Sequence, residues 1–430
     1  MRPGARLAAA IEILETVESR HRPVPEALKD WGVSHRFAGS GDRAAIGNLV
    51  YDTLRWRAST AWLAGKDTPQ ALVLGMVARH RGIGIDGLAQ VVDGDPHAPA
   101  PLSADVKERL TSADLSAAPD FVRADIPEWL APGFSRALGP DWIGEGEALA
   151  LRPPLDLRVN RLKADRAKVL KALSRLDATE MKFAPDGLRI ARTSGDRRHP
   201  NVTVEPAFQK GWLEVQDEGS QIAALMVGAA PGDHVLDLCA GAGGKTLALS
   251  AAMTNKGQIL ATDRDRTRLA PIFERLRRAG TRNVQIREAG APLVDLEGRM
   301  DAVLVDAPCT GTGVWRRRPD AKWRLSDRAL GERVAEQAAL LSAAAGYVKI
   351  GGRLVYVTCS LLAEENSDQV DAFVSSVPGF GVVPPLEVID RAGMADSLGK
   401  AVHLSAAGMT LSPGKTETDG FFVAVMERSA

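Results

Sequence analysis

The stretch Asp301–Gly313, DAVLVDAPCTGTG, constrains the fold more than any other part of the chain. Ala302–Asp306 opens it with an almost unbroken apolar run closed by a carboxylate. Such a run, without alternation, suits a central parallel strand buried on both faces. Asp306 then stands at the strand's carboxyl end. Ala307-Pro308-Cys309 leaves the sheet, and Thr310–Gly313 reads as a flexible loop. Open α/β sheets bind ligands outside the carboxyl ends of their strands. A carboxylate and a thiol at that edge are therefore candidates for chemistry. Taken alone, the stretch equally fits a small buried thiol and an Asp that caps a turn.

The sequence around it repeats the pattern. His234–Cys239 reads as a strand, Ala240–Thr246 as a Gly-rich turn, and a helix follows to Met253. Gln258–Thr262 is a second strand ended by Asp263. Helix Arg266–Ala279 precedes strand Asn283–Ile286. Helix Asp327–Val348 precedes strand Gly352–Thr358, with Cys359 at its end. Segments near Gly381–Val383 and Gly420–Met426 read as an antiparallel pair. Repeated βαβ units predict a parallel, doubly wound sheet over residues 213–430.

With 430 residues the chain is too long for one ordinary core, so further domains precede this one. Residues 1–140 read as helical. Leu7, Ile11 and Leu14 share one helical face, as do Ile46, Leu49, Val50 and Leu54, and Asp42 is placed to cap the second helix. Residues 145–212 read as a small α+β unit: strand Leu155–Val159, amphipathic helix Arg166–Leu176, then Leu188–Ile190. Arg158, Arg161, Lys163, Arg166 and Lys168 predict a basic face there, which permits contact with phosphates. Lys+Arg and Asp+Glu both number 54, so net charge excludes no partner class. The 3 Cys argue against a disulfide framework, and the His residues form no metal-ligand spacing with them. Glu12 and Glu15 interrupt the first apolar run, and no run of about 18 apolar residues occurs, which leaves a cytoplasmic, membrane-free setting as the expectation.

The Gly-rich turn is neither of two familiar loops. A phosphate-binding P-loop needs Gly where Cys239 stands, and a dinucleotide fingerprint needs Gly where Thr246 stands. What remains is a turn that lets a ligand approach the backbone at a helix N-terminus, where free N–H groups can meet a carboxylate. The amino-acid end of S-adenosylmethionine suits it. Asp263 is then placed to accept the ribose hydroxyls, and Glu288 to line the adenine side.

All 3 Cys fall at strand ends of this one domain: Cys239, Cys309 and Cys359. Carbon 5 of a pyrimidine is a poor nucleophile, but a thiolate adding at carbon 6 makes it enolate-like. The carbon 5 proton must later leave and the thiol be expelled. That chemistry wants a nucleophile, a base and an acid near the ring nitrogen, which two thiols and Asp306 can supply.

LDLCAGAGGKT, DAPCTGTGV and VYVTCSLLAEEN together resemble the RsmB/NOL1/NOP2/Sun family of RNA cytosine-5 methyltransferases. The resemblance covers roughly Leu151–Arg428. The helical start, with DRAAIGNLVYDTLRWR, is similar to a NusB-like RNA-binding domain and extends the likeness to the bacterial ribosomal-RNA branch. It implies a Rossmann-like S-adenosylmethionine-dependent methyltransferase acting on carbon 5 of a cytidine, in structured RNA of the small ribosomal subunit. It also implies that Cys359 is the nucleophile, Cys309 assists proton removal and release, Asp306 touches both the base and the cofactor, and Lys245 lies near the reacting groups. Cys239, Ala240, Gly241, Ala242, Gly243, Gly244, Lys245, Asp263, Glu288 and Asp306 would hold the cofactor. The chain departs from the family pattern in having no Pro before Gly243-Gly244, and in Glu288, where Asp is more usual. A monomer without a metal is expected. Competing readings are a transfer-RNA enzyme, a DNA-type enzyme using Cys309 as nucleophile, and a non-catalytic RNA-binding assembly factor.

The segment Trp315–Arg324, WRRRPDAKWR, lies just beyond Cys309. Its interleaved aromatic and basic residues predict a surface loop that stacks bases and contacts phosphates.

Overall fold

A computed structural model describes all of residues 1–430. No strand occurs before Leu155; helices fill the chain from Pro3 to Ala150. Leu7, Ile11 and Leu14 of helix Pro3–Arg20 share one buried cluster with Ile46, Leu49, Val50 and Leu54 of helix Ser40–Arg55. Asp42 does not cap that helix. Gly39 is the N-cap residue, and Asp42, in the first turn, pairs with the chain's own amino terminus at 3.1 Å and with Arg6 at 2.8 Å. The later helices pack elsewhere: Ile126, Phe134, Leu138 and Leu149 share a cluster with Trp315, Leu361 and Leu362. No helix is long and apolar enough to cross a membrane.

A four-stranded antiparallel sheet follows, with β1 (Leu155–Val159), β2 (Thr179–Glu180), β3 (Gly187–Ile190) and β4 (Leu213–Val215) in the order β2-β3-β1-β4. Alternation along β1 sends Leu157 and Val159 into a core with Val169 and Leu173. Asp156, Arg158 and Asn160 lie on the other face and are also buried. Asn160 there donates to the carbonyls of Gly211 and Ala279, 2.9 and 2.8 Å away. The helix is shorter than the sequence suggests, Arg166–Ala172, with a 3-10 turn at Ser174–Leu176. The cations of the predicted basic face are mostly engaged within the protein, although Arg161, Lys163 and Lys168 stay exposed. Arg161 pairs with Asp186 and Arg166 with Glu180; Lys163 donates to two carbonyls; Lys168 sits 4.0 Å over the Trp212 ring. Acids distant in sequence neutralise cations that look clustered when only their neighbours are counted.

The large sheet comprises β5 (His234–Asp237), β6 (Gln258–Ala261), β7 (Val284–Ile286), β8 (Met300–Asp306), β9 (Val348–Thr358), β10 (Phe380–Val382), β11 (His403–Leu404), β12 (Met409–Leu411) and β13 (Phe421–Arg428). Its order is β11-β12-β13-β9-β8-β5-β6-β7, with β10 also on β13. β7, β6, β5, β8 and β9 are parallel, and β13 runs antiparallel to β9. The expected C-terminal pair is present as β10 against β13. Val303, Leu304 and Val305 of β8 are wholly buried, as a strand covered on both faces requires. The expected helix over residues 266–279 is two pieces, Arg266–Leu269 and Ile272–Ala279, interrupted at Pro271, whose nitrogen cannot donate to the helical ladder. The chain leaves β5 outward to β6 and β7, then returns to β8 on β5's other side. That reversal opens a crevice at the carboxyl ends of β5 and β8.

Candidate active site

Three acids end three of the parallel strands at that crevice: Asp237 on β5, Asp263 just past β6 and Asp306 on β8. The turn between Asp237 and helix Gly244–Ala252 is folded tightly. Ala240 N–H donates to the Thr262 carbonyl, and Gly243 N–H to that of Ala240. Gly243 has φ +82°, and a Cβ there would sit 2.5 Å from Ile272, so the turn needs glycine at this point. Gly241 N–H donates to Asp263 Oδ2 at 2.9 Å; Asp265 N–H donates to the other oxygen at 2.9 Å. Asp263 thereby fastens the Gly-rich turn to the end of β6. The Ala242 carbonyl is held by Arg275 at 2.7 Å.

A cavity of about 240 Å³ lies against this turn, between Cys239, Asp263, Pro308 and the segment Gly290–Leu293. Leu238, Leu340 and Tyr347 give it apolar walls, and Arg268 a cation. Glu288 is exposed and does not join the lining; the residues just after it do. Asp237 is a residue that sequence reasoning missed, although its signal, an acid at a strand's end, matches that of Asp263. It is 1 % exposed, takes a 2.7 Å hydrogen bond from Thr246, and leaves Oδ1 without a partner. Burial, aided by the charges of Asp306 and Asp263, pushes its carboxyl up to about 7. Burial and the same three acids push the Cys239 thiol up.

The thiols of Cys309 and Cys359 meet at 3.3 Å. Their strands are parallel neighbours in a register that pairs Asp306 with Val357, so each thiol emerges from the same edge two or three residues later. Thr310–Gly313, expected as a flexible loop, is closely hydrogen-bonded to its surroundings. Thr312 is buried, its hydroxyl 3.0 Å from that of Ser360 and accepting Leu361 N–H at 2.8 Å. Gly313 N–H donates to the Cys359 carbonyl at 3.0 Å. A Cβ on Gly313 would lie 2.2 Å from the Gly420 oxygen. The loop is thus sewn to the Cys359 segment and to the entry of β13. The hydrogen bond to Cys359 and burial raise the Cys309 thiol well above its usual range. Beside the thiols, Lys245 Nζ lies 2.7 Å from Asp306 Oδ2 and 5.1 Å from the Phe421 ring. Lys245 is 6 % exposed, so the ammonium pairs with Asp306 largely out of water.

The Trp315–Arg324 segment is not a free surface loop. Trp315 is 1 % exposed. Arg316 and Arg317 each bind both Asp217 and Asp419. Lys322, 1 % exposed, donates to the Arg55 carbonyl at 3.0 Å, and the Trp323 indole to that of Leu54 at 2.7 Å. Trp315, stacked on Phe134, and Lys322 and Trp323 dock the helical region onto the large domain, while Arg316 and Arg317 are spent in ion pairs within that domain. Arg318 alone of the segment's cations is exposed without an ion pair or side-chain hydrogen bond.

The family described as 16S rRNA methyltransferase RsmB/F matches residues 224–427, and its ferredoxin-like domain matches residues 126–195. The ribosomal RNA small subunit methyltransferase B of Sodalis glossinidius is 34% identical over 315 residues, 71% of this chain and 67% of that protein. The chain belongs to the RsmB/Sun family. A second relative, the probable ribosomal RNA small subunit methyltransferase B of Synechocystis, is 34% identical over 285 residues, covering 64% of this chain and 60% of its own length. The chain thus spans about two thirds or less of these family members. Among solved structures, that of PH0851 aligns with a TM-score of 0.71 and 25% identity over 100% of this chain and 99% of the other. The Rossmann-like architecture described above is the family's fold.

Proposed function

We propose that this member of the RsmB/Sun family transfers a methyl group from S-adenosylmethionine to carbon 5 of a cytidine in small-subunit ribosomal RNA. The observation that carries the reading is the 3.3 Å approach of the Cys309 and Cys359 sulfurs beside the Lys245–Asp306 pair. The residues at the crevice suit the cofactor. Asp237, Asp263 and Asp306 make the site acidic, which favours a sulfonium cation; the orphan Asp237 oxygen offers an acceptor; and the cleft at Asp263 combines apolar walls with a ribose-binding carboxylate. Cys239–Lys245, Asp263 and Asp306 would hold it, with Glu288 at the margin. When bound, the cofactor supplies an electrophilic methyl group.

The chain's own residues supply the rest. Cys359 attacks carbon 6 as the thiolate, forming a carbon–sulfur bond and moving an electron pair to carbon 5. Its hydrogen bond to Cys359 and its burial favour the neutral thiol of Cys309 before the attack. Asp306, anchored by Lys245, meets the nitrogen edge of the ring. After carbon 5 is methylated, Cys309, having released its own thiol proton to solvent, takes the carbon 5 proton as the thiolate. The released electron pair restores the ring double bond and expels Cys359. Residues 213–430 carry this chemistry, while residues 1–140 and 145–212 hold structured RNA. The enzyme works as a monomer in the cytoplasm, without metal.

The test is methylation of small-subunit ribosomal RNA from a strain lacking the gene, using purified protein and read by bisulfite sequencing. A new 5-methylcytidine is expected; a methyl group at another ring atom, or none, refutes the assignment.

A further inference from the structure

A second cavity, about 310 Å³, opens in the seam between the four-stranded sheet and the helices Glu218–Leu225 and Gly244–Ala252. It shares no lining residue with the cleft at Asp263. Leu162, Ala248 and Ala251 give it apolar walls; Arg158, Arg161 and Asp186 give it charge. Asp186 is taken by Arg161, which leaves Arg158 unbalanced.

Arg158 is an unusual arginine. It is 6 % exposed, yet its one side-chain hydrogen bond is from Nε to Gln216 Oε1, at 2.6 Å. Neither terminal nitrogen has a partner, and neither is sealed from solvent. Glu214, opposite it in the β1–β4 register, would be the natural counter-ion. Both Glu214 oxygens are already used, one by Arg275 at 3.0 Å and the other by Arg278. Glu214 thus serves two other guanidinium groups and makes no ion pair with Arg158. Burial lowers the Arg158 guanidinium only to about 10, so it remains a cation at neutral pH. A buried cation without a partner is costly unless another anion completes the site. A guanidinium fork with both terminal nitrogens free matches an oxyanion, phosphate above all.

We propose that this seam is a second ligand site, in which Arg158 binds the phosphate of a nucleotide whose body lies against the alanine-lined wall. The inference rests on the seam's geometry and does not depend on the methyl-transfer reading. The nucleotide is either free or the 5′ end of an RNA, and the two share the same phosphate chemistry.

Equilibrium dialysis of the full chain tests it, with S-adenosylmethionine saturating so that the first cleft is filled. The probes are labelled inorganic phosphate, cytidine 5′-monophosphate, and a short single-stranded RNA with or without a 5′ phosphate. Saturable binding of at least one phosphate-bearing probe is expected, at one site per chain. Arg158→Gln should weaken it about 10- to 100-fold, the range for hydrogen bonds to a charged group. Ala251→Phe, which fills the cavity from the facing helix and keeps the guanidinium, should weaken it similarly, and neither variant should change cofactor affinity. The second variant carries the test if Arg158→Gln fails to fold. Tightest binding of the mononucleotide identifies a free nucleotide; RNA that binds only when 5′-phosphorylated identifies an RNA end. No saturable binding at millimolar probe, binding untouched by Ala251→Phe, or binding abolished by S-adenosylmethionine overturns the proposal.

Discussion

Glu365 accepts both hydrogens that Thr310 can donate, the backbone N–H at 2.8 Å and the hydroxyl at 2.5 Å. The same buried carboxylate takes a 3.0 Å hydrogen bond from Gln337, whose amide also reaches the Pro308 carbonyl at 3.0 Å. The residues on both sides of Cys309 are therefore tied to one charged group. Thiol chemistry at 3.3 Å separation depends on such restraint, because a displacement of about 1 Å can cost on the order of 100-fold in rate.

Glu365→Gln should lower kcat about 10- to 100-fold, since the new amide sets a donor against either Thr310 or Gln337. Calorimetric affinity for S-adenosylmethionine should stay within about 2-fold, because the turn at Gly241 is held separately by Asp263. An unchanged single-turnover rate would remove Glu365 from the positioning of Cys309.

The two thiols should fail differently. Cys359→Ala cannot start the reaction and should form no covalent RNA adduct. Cys309→Ala should attack and then stall, leaving protein bonded to labelled RNA on a denaturing gel. The reverse pattern would make Cys309 the nucleophile and favour the DNA-type mechanism.

Asp263→Ala should weaken S-adenosylmethionine binding by about 1–3 kcal/mol, measured by calorimetry, through loss of buried hydrogen bonds. Part of that cost comes from the chain itself, because Gly241 and Asp265 also lose their acceptor. Asp263→Asn, which keeps acceptor oxygen but not charge, should fall between the two. Equal affinity in all three proteins would discard the ribose role.

His80 makes stability depend on pH. It stacks on Trp56 and lies 3.1 Å from the Ser59 hydroxyl, and burial with the nearby Arg79 charge pushes its imidazole down to about 4. The native state keeps it neutral, whereas the unfolded chain protonates it below about 6.5. Its contribution is thus complete above pH of about 6.5 and is lost as pH falls toward 4. At pH 5 the loss is about 2 kcal/mol. Urea unfolding at pH 7.5 and 5.0 should show a difference that shrinks by about that much in His80→Gln; an identical difference in both proteins would exclude His80 as the source.

Much of the architecture was readable before any coordinates, because it is written in local pattern. The apolar run ending at Asp306, the glycines before Lys245 and the three strand-end cysteines each lie within a few residues and need only the rule that ligands bind at strand carboxyl ends. What depended on partners far along the chain was not readable. Arg316 binds Asp419, 103 residues away, and Lys322 binds Arg55 across 267 residues, so a segment that looks like an RNA-facing loop is spent inside the molecule. Gln337 sits mid-helix with nothing local to mark it, although Glu365 lay within the VYVTCSLLAEEN motif. The strand at Leu155–Val159 was readable, but which side of it would be left with an unpaired guanidinium was not. Periodicity assigns a side chain to a face; only tertiary packing decides what that face meets, and a charge counted from its neighbours in sequence says nothing of the counter-ion that folding brings to it.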